Sequence, residues 1–110
     1  MKRCDVIIAA LPGDKPRPAV IVQVDALRQS STVLVCPFTN GLEFDAEHRL
    51  VMEPDSENGL RSPSVLMIER LQAVSRSRCG AVVGRIGPAG MDEIAAKLAF
   101  VLGLGSGSRA

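Results

Sequence analysis

Apolar positions along the chain come in short runs first and at helical spacing only at the end. Residues 5–11 carry Val6, Ile7 and Ile8, then two alanines, stopped by Leu11-Pro12-Gly13. Residues 19–25 are rich in branched side chains, with Gln23 the polar interruption. Both runs read as strands, and residues 26–31 read as a polar connector between strands. Residues 32–38 give a third strand, with Pro37 near its end, where a missing N–H costs least. Residues 48–53 alternate cleanly and predict a fourth, 64–68 a fifth and 79–86 a further one, with Arg76-Ser77-Arg78 as a turn or short helical piece. The period then changes. Met91, Ile94, Ala95, Leu98, Val101 and Leu102 fall at helical spacing, between Pro88 near the start and Gly103 past the end. Five or six short strands followed by one amphipathic helix predict a small, strongly curved antiparallel sheet or barrel, capped by that helix. Residues 1–104 form one domain on this reading, and 105–110 a flexible Gly/Ser tail.

A chain of 110 residues is long enough for one core and too short for two. It has three Phe, no Trp and no Tyr, too few for a platform on which successive bases stack. The net charge of +1 conceals a division. Residues 43–57 hold six acids against Arg49, whereas residues 61–85 hold five arginines against Glu69 alone. Arginine without lysine suits bidentate contacts to oxyanions, although a charged surface that discourages aggregation accounts for the division equally well. Cys4, Cys36 and Cys79 have no paired spacing, and the last two sit in apolar runs, so buried free thiols in a reducing cytosol are expected. No signal peptide or membrane span is expected.

Several chemistries drop out. His48 is the single histidine, which removes sites built on two imidazoles, and no phosphate-binding glycine loop opens a helix. The acidic run Glu43, Asp45, Glu47 reads as a solvated face rather than a metal site. What remains is a metal-free site of hydroxyl, guanidinium and carboxylate groups near strand ends, with Arg17, Thr39 and Glu69 as its candidates. Pro16 and Pro18 flank Arg17 and stiffen the backbone from which its guanidinium leaves. RNA phosphodiester cleavage needs little more, because the substrate supplies its own 2′-hydroxyl nucleophile.

Arg17-Pro18-Ala19-Val20-Ile21-Val22 followed by Val35-Cys36-Pro37-Phe38-Thr39 resembles the paired signature of the MazF/PemK (Kid) family of toxin endoribonucleases. The similarity continues through Glu57-Asn58-Gly59-Leu60, residues 64–69 and Gly84-Arg85-Ile86 to the terminal helix, and so spans about residues 3 to 104. The resemblance implies the SH3-like small β-barrel of the CcdB/PemK/MazF plasmid toxins, mainly β with a C-terminal helix. It implies a sequence-selective, metal-independent RNase without cofactor that acts on single-stranded mRNA as a cytoplasmic homodimer. Such an enzyme leaves 2′,3′-cyclic phosphate and 5′-hydroxyl ends and is neutralised by a cognate antitoxin. By position, Arg17 matches the catalytic arginine, Thr39 the catalytic threonine, and Glu69 an acid implicated in proton transfer. Asp14, Lys15, Asn40, Ser64 and Arg70 are placed beside them as substrate contacts, Arg70 where relatives usually have glutamine. Two departures stand out: Cys4 replaces a glycine, and the loop before Arg17 is short and lacks the usual glutamate. Glu69 reads equally as a surface partner of Arg61 or Arg85. The alternative function is a non-enzymatic CcdB-like toxin or barrel module that binds a protein such as DNA gyrase.

Overall fold

A computed structural model describes residues 1–105 of the chain. Seven strands, β1 (Asp5–Ala9), β2 (Arg17–Ile21), β3 (Thr32–Asn40), β4 (Leu50–Met52), β5 (Ser64–Leu66), β6 (Gln72–Ser75) and β7 (Cys79–Arg85), precede one helix, α1 (Pro88–Val101). The pairings are antiparallel in the order β4-β5-β3-β2-β1-β7, with β6 also on β3. The long near-continuous apolar runs are explained by burial on both faces. Val6, Val20, Cys36, Phe38 and Leu66 point to one side, where Ile68, Met91 and Ile94 cover them. Their neighbours Ile7, Ala19, Ile21, Val33 and Val35 point to the other and pack with Leu11 and Val74. In β1, the inner part of β2 and the centre of β3, alternation by two therefore holds with both faces dry, so no polar residue marks it.

β3 is the spine. β2 pairs with its centre, Val35–Pro37, along one edge, while the other edge is shared by β6 over Thr32–Val35 and β5 over Phe38–Asn40. Pro37 lies at the join. Its carbonyl accepts from Met67 N–H at 2.9 Å, so the N–H that proline lacks would face the same edge. There the partner chain leaves the ladder as a 3₁₀ turn, Ile68–Arg70, and returns as β6. β6 was missed by the apolar pattern because Val74 is its one buried residue. β2 ends at Ile21, four residues short of the expected end. The Gln23 side chain replaces the ladder there: its Oε1 accepts from Leu34 N–H at 3.0 Å and its Nε2 donates to Leu27 C=O at 3.2 Å.

The expected barrel is a curved sheet that does not close. β4 and β7 are its end strands, and the loop after β4 spans the gap instead of a further ladder. Asn58 organises that loop from a buried position, donating to Glu53 C=O at 2.9 Å while its Oδ1 accepts from Leu60 N–H at 3.0 Å. Arg85 N–H then donates to Glu57 C=O at 2.8 Å, which latches the loop on β7. α1 begins with proline in its first turn. It ends on Gly103, φ +69°, with Leu104 N–H bonded to Ala99 C=O and Gly103 N–H to Phe100 C=O, the paired bonds of a Schellman stop. The expected tail, residues 105–110, lies outside the described residues except for Gly105.

All three cysteines are free, but only Cys36 is fully buried; Cys4 and Cys79 are half-buried, Cys79 because β7 is an end strand. Burial, with a smaller contribution from the Glu69 charge, pushes the Cys36 thiol up to about 12. An aromatic disulfide reagent at pH 8 is expected to titrate at most Cys4 and Cys79 in the native protein, and Cys36 only after denaturant. Three thiols reacting without denaturant would contradict this packing.

Candidate active site

The β2–β3 register builds the site. Ala19 pairs with Pro37, Val20 with Cys36 and Ile21 with Val35. Two further steps along the same register set Arg17 opposite Thr39, their side chains on the same face of the sheet. That face is the one away from α1. The β3–β5 and β4–β5 registers extend it: continued by one residue they align Pro37, Met67 and Arg49 in one row. Arg17, Pro37, Thr39, Met67 and Arg49 line an open cleft of about 480 Å³. Asp14, Arg70, Gln72 and Phe44 join them from the loops and from the start of β6.

Arg17 is held from two sides. Its Nη1 donates to Phe38 C=O at 3.1 Å, and its Nη2 donates to Asp14 Oδ1 at 3.0 Å. Nε lies 2.9 Å from Asp14 Oδ2, yet its hydrogen is not aimed at that oxygen, so it is a buried donor with no aligned acceptor among the described residues. The Arg17 hydrogen bond holds the Asp14 carboxyl below the usual range, assisted by the Lys15 N–H. An incoming phosphate must share or displace this carboxylate. The Thr39 hydroxyl makes one long bond, 3.4 Å to Asn40 C=O, and is otherwise free to turn to a ligand.

The remaining expected residues divide. Arg70 lines the cleft. Lys15 is exposed at the loop tip outside the lining, with its backbone N–H on Asp14. Asn40 and Ser64 pair with each other and alternate to the opposite face; Ser64 is buried, its hydroxyl donating to Ser62 C=O at 2.9 Å. Two-residue periodicity turns both away from Arg17. Glu69 lies on the 3₁₀ turn behind the cleft wall, and its partner is neither Arg61 nor Arg85. Both its oxygens receive Arg49, and His48 Nε2 lies 3.6 Å from Oε1. The hydrogen bond from Arg49 holds its carboxyl below the usual range.

Sequence reasoning passed over Arg49, Phe44 and Gln72. Arg49 counted only as a charge within a strand, although its place one step before Leu50 in an alternating run put it on the Met67 row. Phe44 was hidden in an acidic loop, and 48% of its surface is exposed at the cleft. Gln72 pairs with Val35, two residues from Pro37, and so shares the cleft face.

The model of the PemK-like, MazF-like toxin family of type II toxin–antitoxin systems matches residues 2–102. The chain belongs to that family. It is 35% identical over 107 residues to a protein of Mycolicibacterium smegmatis described as a probable endoribonuclease MazF, covering 94% of this chain and 98% of that one. A mycobacterial endoribonuclease solved in complex with its cognate antitoxin superposes with a TM-score of 0.82 at 22% identity, covering 96% of this chain and 98% of that chain. MazF of Deinococcus radiodurans (Form-I) gives 0.79 at 16% identity, covering 94% and 97%. The two structures show the fold, a MazF-toxin sheet with a C-terminal helix. Membership in this family and the activity named for the M. smegmatis relative favour a MazF-like endoribonuclease toxin over a gyrase-binding one. No helix among the described residues is long and apolar enough to cross a membrane.

Proposed function

We propose that this toxin is a metal-independent, sequence-selective endoribonuclease that cleaves single-stranded mRNA in the cytoplasm as a homodimer. A cognate antitoxin restrains it by occupying the arginine-lined cleft. The observation that supports the reading most is the Arg17–Thr39 pair on one face of an open cleft. The reaction needs a phosphate held while the adjacent ribose 2′-oxygen gives up its proton and attacks phosphorus, so that the P–O5′ bond breaks and the 5′-oxygen leaves with a proton gained in exchange. Negative charge accumulates on the two non-bridging oxygens as the phosphorane forms. The Arg17 fork is suited to those oxygens, and the Thr39 hydroxyl to fixing one of them. Products are a 2′,3′-cyclic phosphate and a 5′-hydroxyl. No water is consumed in that step, so the protein need not activate one.

Cleavage of a long mixed-sequence RNA in excess EDTA is the direct test. We expect discrete fragments that a kinase labels at the 5′ end without prior phosphatase treatment. Thr39→Ala is expected to slow cleavage about a hundredfold, the magnitude seen when one preorganised donor is removed. Folded protein that leaves the RNA intact, or fragments with 5′-phosphates, would refute the proposal.

A further inference from the structure

The cleft holds a second guanidinium with a firmer seat than the first. Arg49 Nε donates to both Glu69 oxygens at 3.1 Å, Nη2 donates to Oε2, and Nη1 donates to Phe44 C=O at 3.0 Å. Arginine carries five N–H donors, so two remain, one on each terminal nitrogen. The side chain is only 15% exposed, yet it lines the cleft in the row beside Arg17 and Thr39. Glu69 on the 3₁₀ turn after β5 and the Phe44 carbonyl before β4 together engage three of its donors and fix its orientation before any ligand arrives. The carboxylate that fixes it has both oxygens occupied and does not line the cleft.

We propose that Arg49 binds a phosphate of the RNA and that Glu69 is its positioning residue rather than a carrier of protons. The inference rests on the nuclease reading and reassigns the acid within it. Two physical arguments converge. The Glu69 carboxylate turns both oxygens to Arg49 and stands outside the cleft lining, so the lone pairs it keeps are not aimed at a 2′-hydroxyl beside Arg17, and while ionised it has no proton to give a leaving oxygen. Ion pairing by Arg49 also keeps it ionised at neutral pH, with His48 and the buried Cys36 the other titratable groups facing it. A guanidinium anchored by its side edge, in contrast, retains donors for an oxyanion at no orientational cost.

The test pairs binding with cleavage. Affinity for a 2′-O-methyl RNA, which cannot cleave itself, is measured against salt, and single-turnover cleavage is measured on the matching RNA. Arg49→Ala is expected to reduce the salt slope by about 0.7, the loss of one single-strand phosphate contact. It is expected to slow cleavage about a hundredfold. Arg49→Lys keeps the charge and the fold, so it is expected to retain the slope while slowing cleavage about tenfold through loss of the fork. Glu69→Gln is expected to leave the slope and both limbs of the pH–rate profile intact and to slow cleavage about tenfold. The double variant Arg49→Ala/Glu69→Gln should be no slower than Arg49→Ala alone, since Glu69 acts through Arg49. An unchanged slope in Arg49→Ala, multiplying losses, or a lost limb in Glu69→Gln would overturn the assignment. Wild type that binds with an Arg49-dependent slope but never cleaves would sink the nuclease reading and leave the phosphate contact supported. Wild type that does not bind RNA would overturn both.

Discussion

Arg17→Ala is expected to lower RNA cleavage by about a thousandfold with the fold intact. The size follows from what the side chain supplies: a full charge and a fork of donors at the phosphate, where one neutral donor alone is worth about a hundredfold or more. The intact fold follows from its partners. Asp14 is exposed and returns to water when Arg17 is gone, so the ion pair contributes little to stability. The lost bond to Phe38 C=O is a single hydrogen bond at the end of the β2–β3 ladder, and its loss costs about 1–3 kcal/mol, too little to unfold the domain. Arg17→Lys separates charge from geometry. It retains the positive charge and should cleave about tenfold faster than Arg17→Ala, leaving it about a hundredfold below wild type. Single-turnover rates with superimposable circular dichroism spectra decide the matter. Cleavage by Arg17→Ala within tenfold of wild type would remove Arg17 from the reacting phosphate.

Gly59→Ala carries the largest expected cost in stability. Gly59 has φ +71°, and a Cβ there would stand 2.3 Å from Val83 C=O and 2.8 Å from its carbon. Both atoms are β7 backbone and cannot rotate aside. The facing Gly84 is equally tight, since its Cβ would lie 2.4 Å from the Asn58 carbonyl carbon. Two backbones meet here without side chains between them, and relief requires the loop after β4 to lift from β7. That would also strain the buried Asn58 bonds and the Arg85–Glu57 latch. A left-handed alanine alone costs about 1 kcal/mol, and the clash is expected to raise the total to about 3 kcal/mol or more. The corresponding drop in Tm is roughly 15 °C. Gly13→Ala is the control, because Gly13 has nearly the same φ, +73°, with no atom near its Cβ position. It should lose about 1 kcal/mol. Equal losses at the two positions would mean that backbone strain, not the close approach of the loop to β7, sets the cost.

The two predictions rest on features of different visibility in the sequence. Arg17 was legible because two prolines marked its backbone, and Thr39 because it closed an apolar run before Asn-Gly. The strands on either side were equally plain, since β-branched residues and turn dipeptides bound them. Their register was not plain. With both faces buried, one slip is as apolar as the next, and only the paired ladder sets Arg17 opposite Thr39. Asn40 and Ser64 show the same limit from the other side: correct residue types near correct strand ends, on the wrong face. β6 was illegible because it contributes a single buried valine and depends on β3 for its existence. The lack of closure was hidden too, because strand count says nothing about whether the last edge meets the first. Arg49 could have been found by extending the alternation of residues 48–53 to its polar members. Its pairing with Glu69 could not, since twenty residues separate them and a 3₁₀ turn orients the acid.

The seven residues between Ala9 and Arg17 hang from a fixed rung. Ala9 pairs with Arg17 on one side, and the β2–β3 ladder sets the strand on the other, so the length of this loop does not enter the position of the guanidinium. The loop can therefore change in length or sequence while the Arg17 guanidinium keeps its place opposite Thr39. Asp14 crosses between loop and strand, as a loop residue clasping the Arg17 fork. The short loop is thus a counter-ion on a tether, its carboxylate seated on the arginine that the ladder holds in place.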